Sequence, residues 1–124
     1  MVTFGLVEEA AVRRTICARR GIPYHDGIRV YLAMEEASLL GSCMFTLSDI
    51  LYCEMENPHL WLQDGFLKAV TAYLRARNAP SLDCPDGVFD APLLKGLGFR
   101  EAGAGWRLDL RNRAGAGCGG QKST

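Results

Sequence analysis

The spacing of apolar residues changes along the chain, and each change predicts a different element. From Ile28 to Met34, apolar residues alternate with other residues, which is the period of two that a strand requires. Between Leu60 and Arg77, apolar residues recur at every third or fourth position, which predicts a long helix. The whole chain yields seven strands (2–7, 28–34, 39–47, 50–55, 81–84, 99–102 and 106–110) and three helices (8–20, 60–77 and 90–96).

Turn and capping residues separate these elements. Gly21 and Pro23 end the first helix, and Asn57-Pro58 breaks the chain before the long helix. Asp90 stands where the N-cap of the last helix is expected, with Pro92 in its first turn. These turn and capping residues therefore support the element boundaries that the apolar spacing predicts.

The order β-α-β-β-β-α-β-α-β-β predicts an α/β (α+β) fold. Short turns between the second, third and fourth strands favour an antiparallel meander. The later crossover through the long helix predicts a mixed, mostly antiparallel sheet flanked by helices on both faces. We expect one domain over residues 1–110, because 124 residues are too few for two separate cores. Residues 111–124 are Gly-rich, and we expect a disordered tail there.

Composition and charge exclude several classes of partner. Fourteen basic and fourteen acidic residues cancel, so there is no electrostatic reason to expect nucleic acid or an anionic membrane. Arg13-Arg14 and Arg19-Arg20 are expected on the solvated face of the first helix. No apolar run reaches the roughly 20 residues that span a bilayer, and the N-terminus lacks the layout of a secretory signal.

The cysteines favour a reducing compartment. There are five of them, an odd number without a C-x-x-C pair, which matches neither a disulfide scaffold nor a zinc site. Most lie in apolar segments, where a free thiol behaves as a small hydrophobic residue. We therefore expect reduced core cysteines in a cytoplasmic protein without a metal site, and an accessible thiol at Cys118 in the tail.

Two local segments carry a resemblance to a known family. The last predicted helix and its exit read Ala91-Pro92-Leu93-Leu94-Lys95-Gly96-Leu97-Gly98-Phe99, and the long helix contains Phe66-Leu67-Lys68-Ala69. With the element order, these segments resemble the GNAT superfamily of N-acetyltransferases over roughly residues 1–110. The resemblance implies an enzyme that transfers an acetyl group from acetyl-CoA, its co-substrate, to an amine on a small molecule or peptide.

The resemblance also implies where acetyl-CoA binds. The family's loop, of the form Q/R-x-x-G-x-G/A, offers main-chain N–H groups at a helix N-terminus to the pyrophosphate. Aligned on residues 66–69, it falls on residues 58–63, where Trp61 and Gln63 replace the glycines and Gly65 follows. The cofactor-binding residues implied are those of this turn and of the preceding strand: Cys53, Met55, Leu60, Trp61, Leu62, Gln63, Asp64 and Gly65.

The implied catalytic base is Glu54, in the strand before the loop, with Glu56 close to it. The family's tyrosine, which protonates the departing thiolate, is replaced by Leu94. Alternatively, Glu54 and Glu56 are solvent-facing residues of a strand end without a catalytic role. Two alternatives to the enzyme remain open. One is a GNAT-like binding or regulatory module without activity, forming a homodimer through its sheet edge, and the other is an unrelated α+β domain.

Overall fold

The computed structural model describes residues 1–111, and the predicted order of elements is confirmed. The elements are β1 (Val2–Leu6), α1 (Ala10–Arg19), β2 (Arg29–Glu35), β3 (Ser38–Phe45), β4 (Ile50–Met55), α2 (Leu60–Ala76), β5 (Ser81–Pro85), α3 (Ala91–Gly96), β6 (Arg100–Ala102) and β7 (Gly105–Asp109). The predicted disordered tail and Cys118 lie outside the described residues, apart from residue 111.

The first four strands form one antiparallel sheet in the order β1-β2-β3-β4. The meander expected from the short turns is therefore confirmed. In the β3–β4 pair, Ser42 lies opposite Glu54 and Cys43 lies opposite Cys53. Directly opposed residues of an antiparallel pair point to the same face, so this register decides which side chains share a surface.

The last three strands form a second antiparallel sheet in the order β5-β7-β6. Its only ladder contact with the first sheet, among the described residues, is a parallel bridge between Asp49 and Asp83. The amide of Asp83 donates to the carbonyl oxygen of Ser48 at 2.9 Å. The single mixed sheet expected from the element order is thus divided into two parts that are joined at one point.

Apolar side chains pack on both faces of the first sheet. The larger cluster lies under α2 and α3 and contains Phe45, Phe66 and Trp106, while the smaller one under α1 contains Cys17 and Met44. Burying a large apolar side chain contributes about 1.5–3 kcal/mol, so the larger cluster supplies most of the driving force for folding. Helices on both faces were expected, and this arrangement confirms them. Within residues 1–111, no helix is both long enough and apolar enough to cross a membrane.

The helix boundaries follow the signals in the sequence. Asp90 caps α3 as predicted, because its side chain accepts a hydrogen bond from the amide of Leu93 at 3.1 Å. The chain leaves α2 through Asn78, which has a positive φ of 59°. Asparagine tolerates this left-handed conformation better than most residues, so it can end a helix.

Candidate functional site

A wedge-shaped gap separates β4 from β5. The two strands run in the same direction and touch at the Asp49–Asp83 bridge, but no further ladder contact between them follows within residues 1–111. Beyond the bridge, the edge of β4 that faces β5 has no strand partner among the described residues. Main-chain groups that are free at such an edge can hydrogen-bond to an extended ligand. The open end of the wedge adjoins the start of α2.

The first turn of α2 offers free amides. Its N-cap residue, His59, has an extended backbone and makes no side-chain cap, and its carbonyl accepts from the amides of Leu62 and Gln63 at 3.0 Å. Among residues 1–111, no group accepts from the amides of Leu60 and Trp61. Free N–H groups at the positive end of a helix dipole favour an anion, and a phosphate group suits this geometry.

Gln63 does not crowd this helix terminus, although it replaces a glycine of the family loop. Its side chain is 7% exposed and turns into the protein. There its Nε2 donates to the carbonyl of Pro58 at 2.7 Å, and its Oε1 accepts from the amide of Asp90 at 2.7 Å. Gln63 therefore ties the loop before α2 to the start of α3.

Leu60 and Trp61 project outward from the first turn of α2. Their exposed fractions are 57% and 53%. The indole of Trp61 stacks on the ring of His59, with centroids 5.8 Å apart and planes inclined by 11°. Trp61 also lines a cavity with Glu35 and Leu40, which places it toward the β2–β3 hairpin. Its side chain therefore lies between this hairpin and the loop that follows β4.

Three further residues of the predicted loop lie within the first two turns of α2. Leu62 is buried in the core. Asp64 forms a salt bridge with Lys68 at 3.0 Å, one turn along the helix. Gly65 packs against the ring of Phe4, so that a Cβ atom there would overlap the phenyl carbons. Glycine at position 65 therefore permits the close packing of α2 against Phe4.

Cys53 and Met55 point from β4 toward the larger core, where they pack at its margin. Cys43 on β3 and Cys84 on β5 belong to the same core. The pKa of Cys43 is raised well above its usual value. The largest cause is a hydrogen bond with Cys53, and the second is burial of the thiol. Burial raises the pKa of Cys84 to about 12. These two thiols therefore stay protonated at neutral pH, as expected for core cysteines.

Glu54 lies on the opposite face of β4 and forms an ion pair with Arg20, which caps the C-terminus of α1. The guanidinium of Arg20 also lies over the ring of Tyr52, 5.3 Å from its centroid. The Glu54 side chain is 45% exposed, so a solvent-borne ligand can reach it. Sequence reasoning missed Arg20, which was expected on a solvated helix face, because no local pattern links residues so far apart in the chain.

Leu94 is fully buried in the core. Among the described residues, no group of three or more His, Cys, Asp or Glu side chains is arranged to hold a metal ion. The chemistry that the site can offer is therefore an open strand edge, free helix amides and a carboxylate at the surface of β4.

Three solved structures with a similar fold carry acetyltransferase names. The proposed N-acetyl transferase YhhK from E. coli, solved bound to coenzyme A, has a TM-score of 0.63 and 18% identity, and the match covers 88% of this chain and 98% of that one. A proposed acetyltransferase from Exiguobacterium has a TM-score of 0.71 and 14% identity, covering 94% and 99%. IAA acetyltransferase from Bacillus cereus has a TM-score of 0.67 and 13% identity, covering 83% and 79%.

The protein thus has the mixed α/β fold of GNAT acetyltransferases, as the sequence resemblance implied. No family model matches the sequence, and the search of curated proteins gives no match.

Proposed function

We propose that this protein transfers an acetyl group from acetyl-CoA to an amine. The observation that carries the proposal is the wedge between β4 and β5, which opens beside the free amides of Leu60 and Trp61. An open strand edge can hold a pantetheine amide chain, and a helix N-terminus can hold a pyrophosphate. The fold neighbour YhhK, solved with coenzyme A, supports the same choice of co-substrate.

In this proposal, the amides of Leu60 and Trp61 bind the pyrophosphate. Leu62, Gln63 and Gly65 hold the first turns of α2 in place from the inside, and Asp64 lies on the helix surface beside Lys68. The side chains of Cys53 and Met55 point into the core. Only their main-chain groups would therefore hydrogen-bond the pantetheine. Gln63 and Gly65 act indirectly, by fixing the loop and the position of the helix.

Glu54 is the proposed base. The amine nitrogen forms a bond to the thioester carbonyl carbon, the carbon–sulfur bond breaks with its electrons going to the CoA sulfur, and Glu54 takes the amine proton directly or through water. This role requires the ion pair with Arg20 to open when the acceptor binds. Since Leu94 cannot supply a proton, the CoA thiolate would be protonated by water.

The test is binding of coenzyme A measured by thermal shift and calorimetry on matched variants. Leu60→Pro removes one free amide, and proline is tolerated at the first position of a helix. Leu60→Ala keeps the amide and removes the same exposed side chain. We expect Leu60→Pro to weaken coenzyme A binding roughly tenfold and Leu60→Ala to bind as the original chain does, because a hydrogen bond to a charged group is worth about 1.5–3 kcal/mol. No thermal shift at millimolar coenzyme A would overturn the proposal.

A second candidate is a module that binds coenzyme A without transferring the acetyl group. The full burial of Leu94 favours it, because no hydroxyl stands where the family's tyrosine would be. The two candidates separate in a turnover assay with acetyl-CoA and a panel of amines. Thiol release that depends on the amine, and that Glu54→Gln abolishes, supports the enzyme. Tight binding without any product supports the module.

A further inference from the structure

Cys43 on β3 and Cys53 on β4 lie directly opposite each other in the antiparallel ladder. Opposed residues of such a ladder share one face of the sheet, and both side chains pack in the larger core cluster. Both cysteines carry free thiols. The proposed function uses only the main chain of Cys53 and gives Cys43 no role, so this pair of thiols is left without an explanation.

The hydrogen-bond pattern shows which kind of pair the two cysteines form. The amide of Glu56 donates to the carbonyl oxygen of Leu40 at 3.1 Å, and the register, continued by one step, places these two residues opposite each other. Hydrogen-bonded and non-hydrogen-bonded pairs alternate along an antiparallel ladder. Cys43 and Cys53 lie three steps from Leu40 and Glu56, so they form a non-hydrogen-bonded pair.

Pairs of this kind bring two strands closest together. Their Cα atoms lie roughly 4.5 Å apart, which is within the range of about 4.4–6.8 Å that a disulfide usually bridges. Gly41 and Met55 form another pair of this kind two steps away, where a Cβ atom at Gly41 would lie 3.2 Å from the Cα atom of Met55. The ladder therefore already holds Cys43 and Cys53 at the separation that a cross-strand disulfide requires.

The two thiols differ in their access to solvent. Cys43 is fully buried, whereas Cys53 is partly exposed at the margin of the core. A hydrogen bond with Cys53 is the largest cause of the raised pKa of Cys43, so the two sulfurs already interact. A small neutral oxidant therefore reaches Cys53 first and finds the second thiol next to it, which is the arrangement of an oxidisable cysteine beside its resolving partner.

We infer that Cys43 and Cys53 are a site of reversible oxidation, at which a peroxide converts the two thiols into a disulfide between β3 and β4. This inference does not rest on the proposed function, because it uses only the side chains of the two cysteines.

The reaction takes two steps. The sulfur of Cys53 attacks one oxygen of hydrogen peroxide, the oxygen–oxygen bond breaks, and the second oxygen leaves as water with the thiol proton, so that Cys53 becomes a sulfenic acid. The sulfur of Cys43 then attacks the sulfur of Cys53, and the sulfur–oxygen bond breaks and releases a second water, which takes the proton of Cys43. In total, the two thiols lose two electrons and two protons, and the peroxide is reduced to two waters.

The test treats the folded chain with hydrogen peroxide in a Cys118→Ser background, which removes the thiol that lies outside the described residues. Two of the four remaining thiols should be lost together, and the intact mass should fall by the mass of two hydrogen atoms. Peptide mapping should find the fragment with Cys43 joined to the fragment with Cys53, and dithiothreitol should restore both thiols.

Three variants in this background separate the roles of the thiols. Cys53→Ala removes the sulfur that the peroxide attacks, so no cross-link should form. Cys43→Ala leaves Cys53 without its partner, and Cys53 should then go on to the sulfinic acid, which dithiothreitol does not reverse. Cys17→Ala is the matched control, because Cys17 is a buried thiol that contacts Met44 in the smaller cluster, and the cross-link should form there unchanged.

The peptide map of the background chain decides the question even where an alanine variant does not fold. A link between Cys53 and Cys84, or sulfinic acid at Cys53 while Cys43 stays a thiol, would overturn the inference. Four intact thiols in the folded chain, under conditions that oxidise the urea-unfolded chain, would overturn it as well. None of these outcomes depends on coenzyme A, so a failure of the proposed function leaves the inference standing, and the reverse also holds.

Discussion

The ring of Phe4 on β1 occupies the space that a side chain at Gly65 would need. The same ring packs edge-on against Phe66, with centroids 5.1 Å apart. Position 65 therefore sets how closely α2 approaches the first sheet. Since the amides of Leu60 and Trp61 belong to the first turn of that helix, the Phe4–Gly65 contact also fixes where they stand relative to β4.

Replacing Gly65 with alanine should destabilise the fold, although alanine is the better helix former. The gain in helix propensity is about 1 kcal/mol, whereas forcing a methyl group into a filled core costs typically 1–3 kcal/mol. We expect a net loss of up to about 2 kcal/mol in urea unfolding. Gly96→Ala in α3 is the control, because no atom lies within 4 Å of its Cβ position, and it should be neutral or stabilising.

The double variant Phe4→Leu/Gly65→Ala should recover part of the loss, since leucine leaves room for the added methyl group. We expect the double variant to lose less stability than the sum of the two single losses, because residues 4 and 65 are in contact. If Gly65→Ala proved as stable as the original chain, the close approach of α2 to β1 would not be the reason for glycine at this position.

Gln63→Leu should cost about 1–3 kcal/mol of unfolding free energy, because it leaves the Pro58 carbonyl and the Asp90 amide without their partners. Asp64→Asn, one residue along the chain, removes only a surface pair with Lys68 and should change stability by less than about 0.5 kcal/mol. Chemical unfolding of the two variants side by side makes the comparison. Equal stabilities would mean that solvent replaces the Gln63 contacts without loss.

The element order was predictable because each element carries a local signal. The alternation from Ile28 to Met34 matches β2 to within one residue, and the Asp90 cap is confirmed by its bond to Leu93. The division of the sheet was not predictable. Which strand pairs with β4 depends on contacts between distant segments, and the spacing of apolar residues reports only local periodicity.

The same limit applies to the candidate site. The sequence gives the size of Trp61 and Gln63, which replace the glycines of the family loop, but it does not give the direction of their side chains. Gln63 turns inward to partners at residues 58 and 90, and Trp61 turns toward the β2–β3 hairpin. The pairing of Arg20 with Glu54 also joins distant segments of the chain. The binding and catalytic roles of these residues stay predictions.

The two tryptophans should respond oppositely to truncation. Trp106 is 6% exposed, and its indole nitrogen donates to Asp86 at 3.3 Å, so Trp106→Ala should cost about 3–5 kcal/mol. Trp61 is 53% exposed, and Trp61→Ala should stay within about 0.5 kcal/mol of the original chain. Fluorescence-monitored unfolding checks both. A large loss on Trp61→Ala would mean that its stack on His59 supports the fold.

The burial of Cys84 predicts a loss of stability at alkaline pH. Its pKa is raised to about 12 in the folded protein, whereas a thiol in the unfolded chain ionises near pH 8.5–9. A group whose pKa is raised by folding contributes its stability fully below the unfolded pKa and loses it as pH rises toward the folded pKa.

Between about pH 9 and pH 12, the unfolding free energy should therefore fall by on the order of 1.4 kcal/mol per pH unit on account of this thiol. Urea unfolding of the original chain and of Cys84→Ala at pH 7.5, 9 and 10.5 measures the effect as a difference in slope, because the other titrating groups are common to both. Cys84→Ala loses some packing at every pH, but its stability should fall less steeply above about pH 9. Parallel slopes for the two proteins would mean that the thiol is already accessible to base in the folded state.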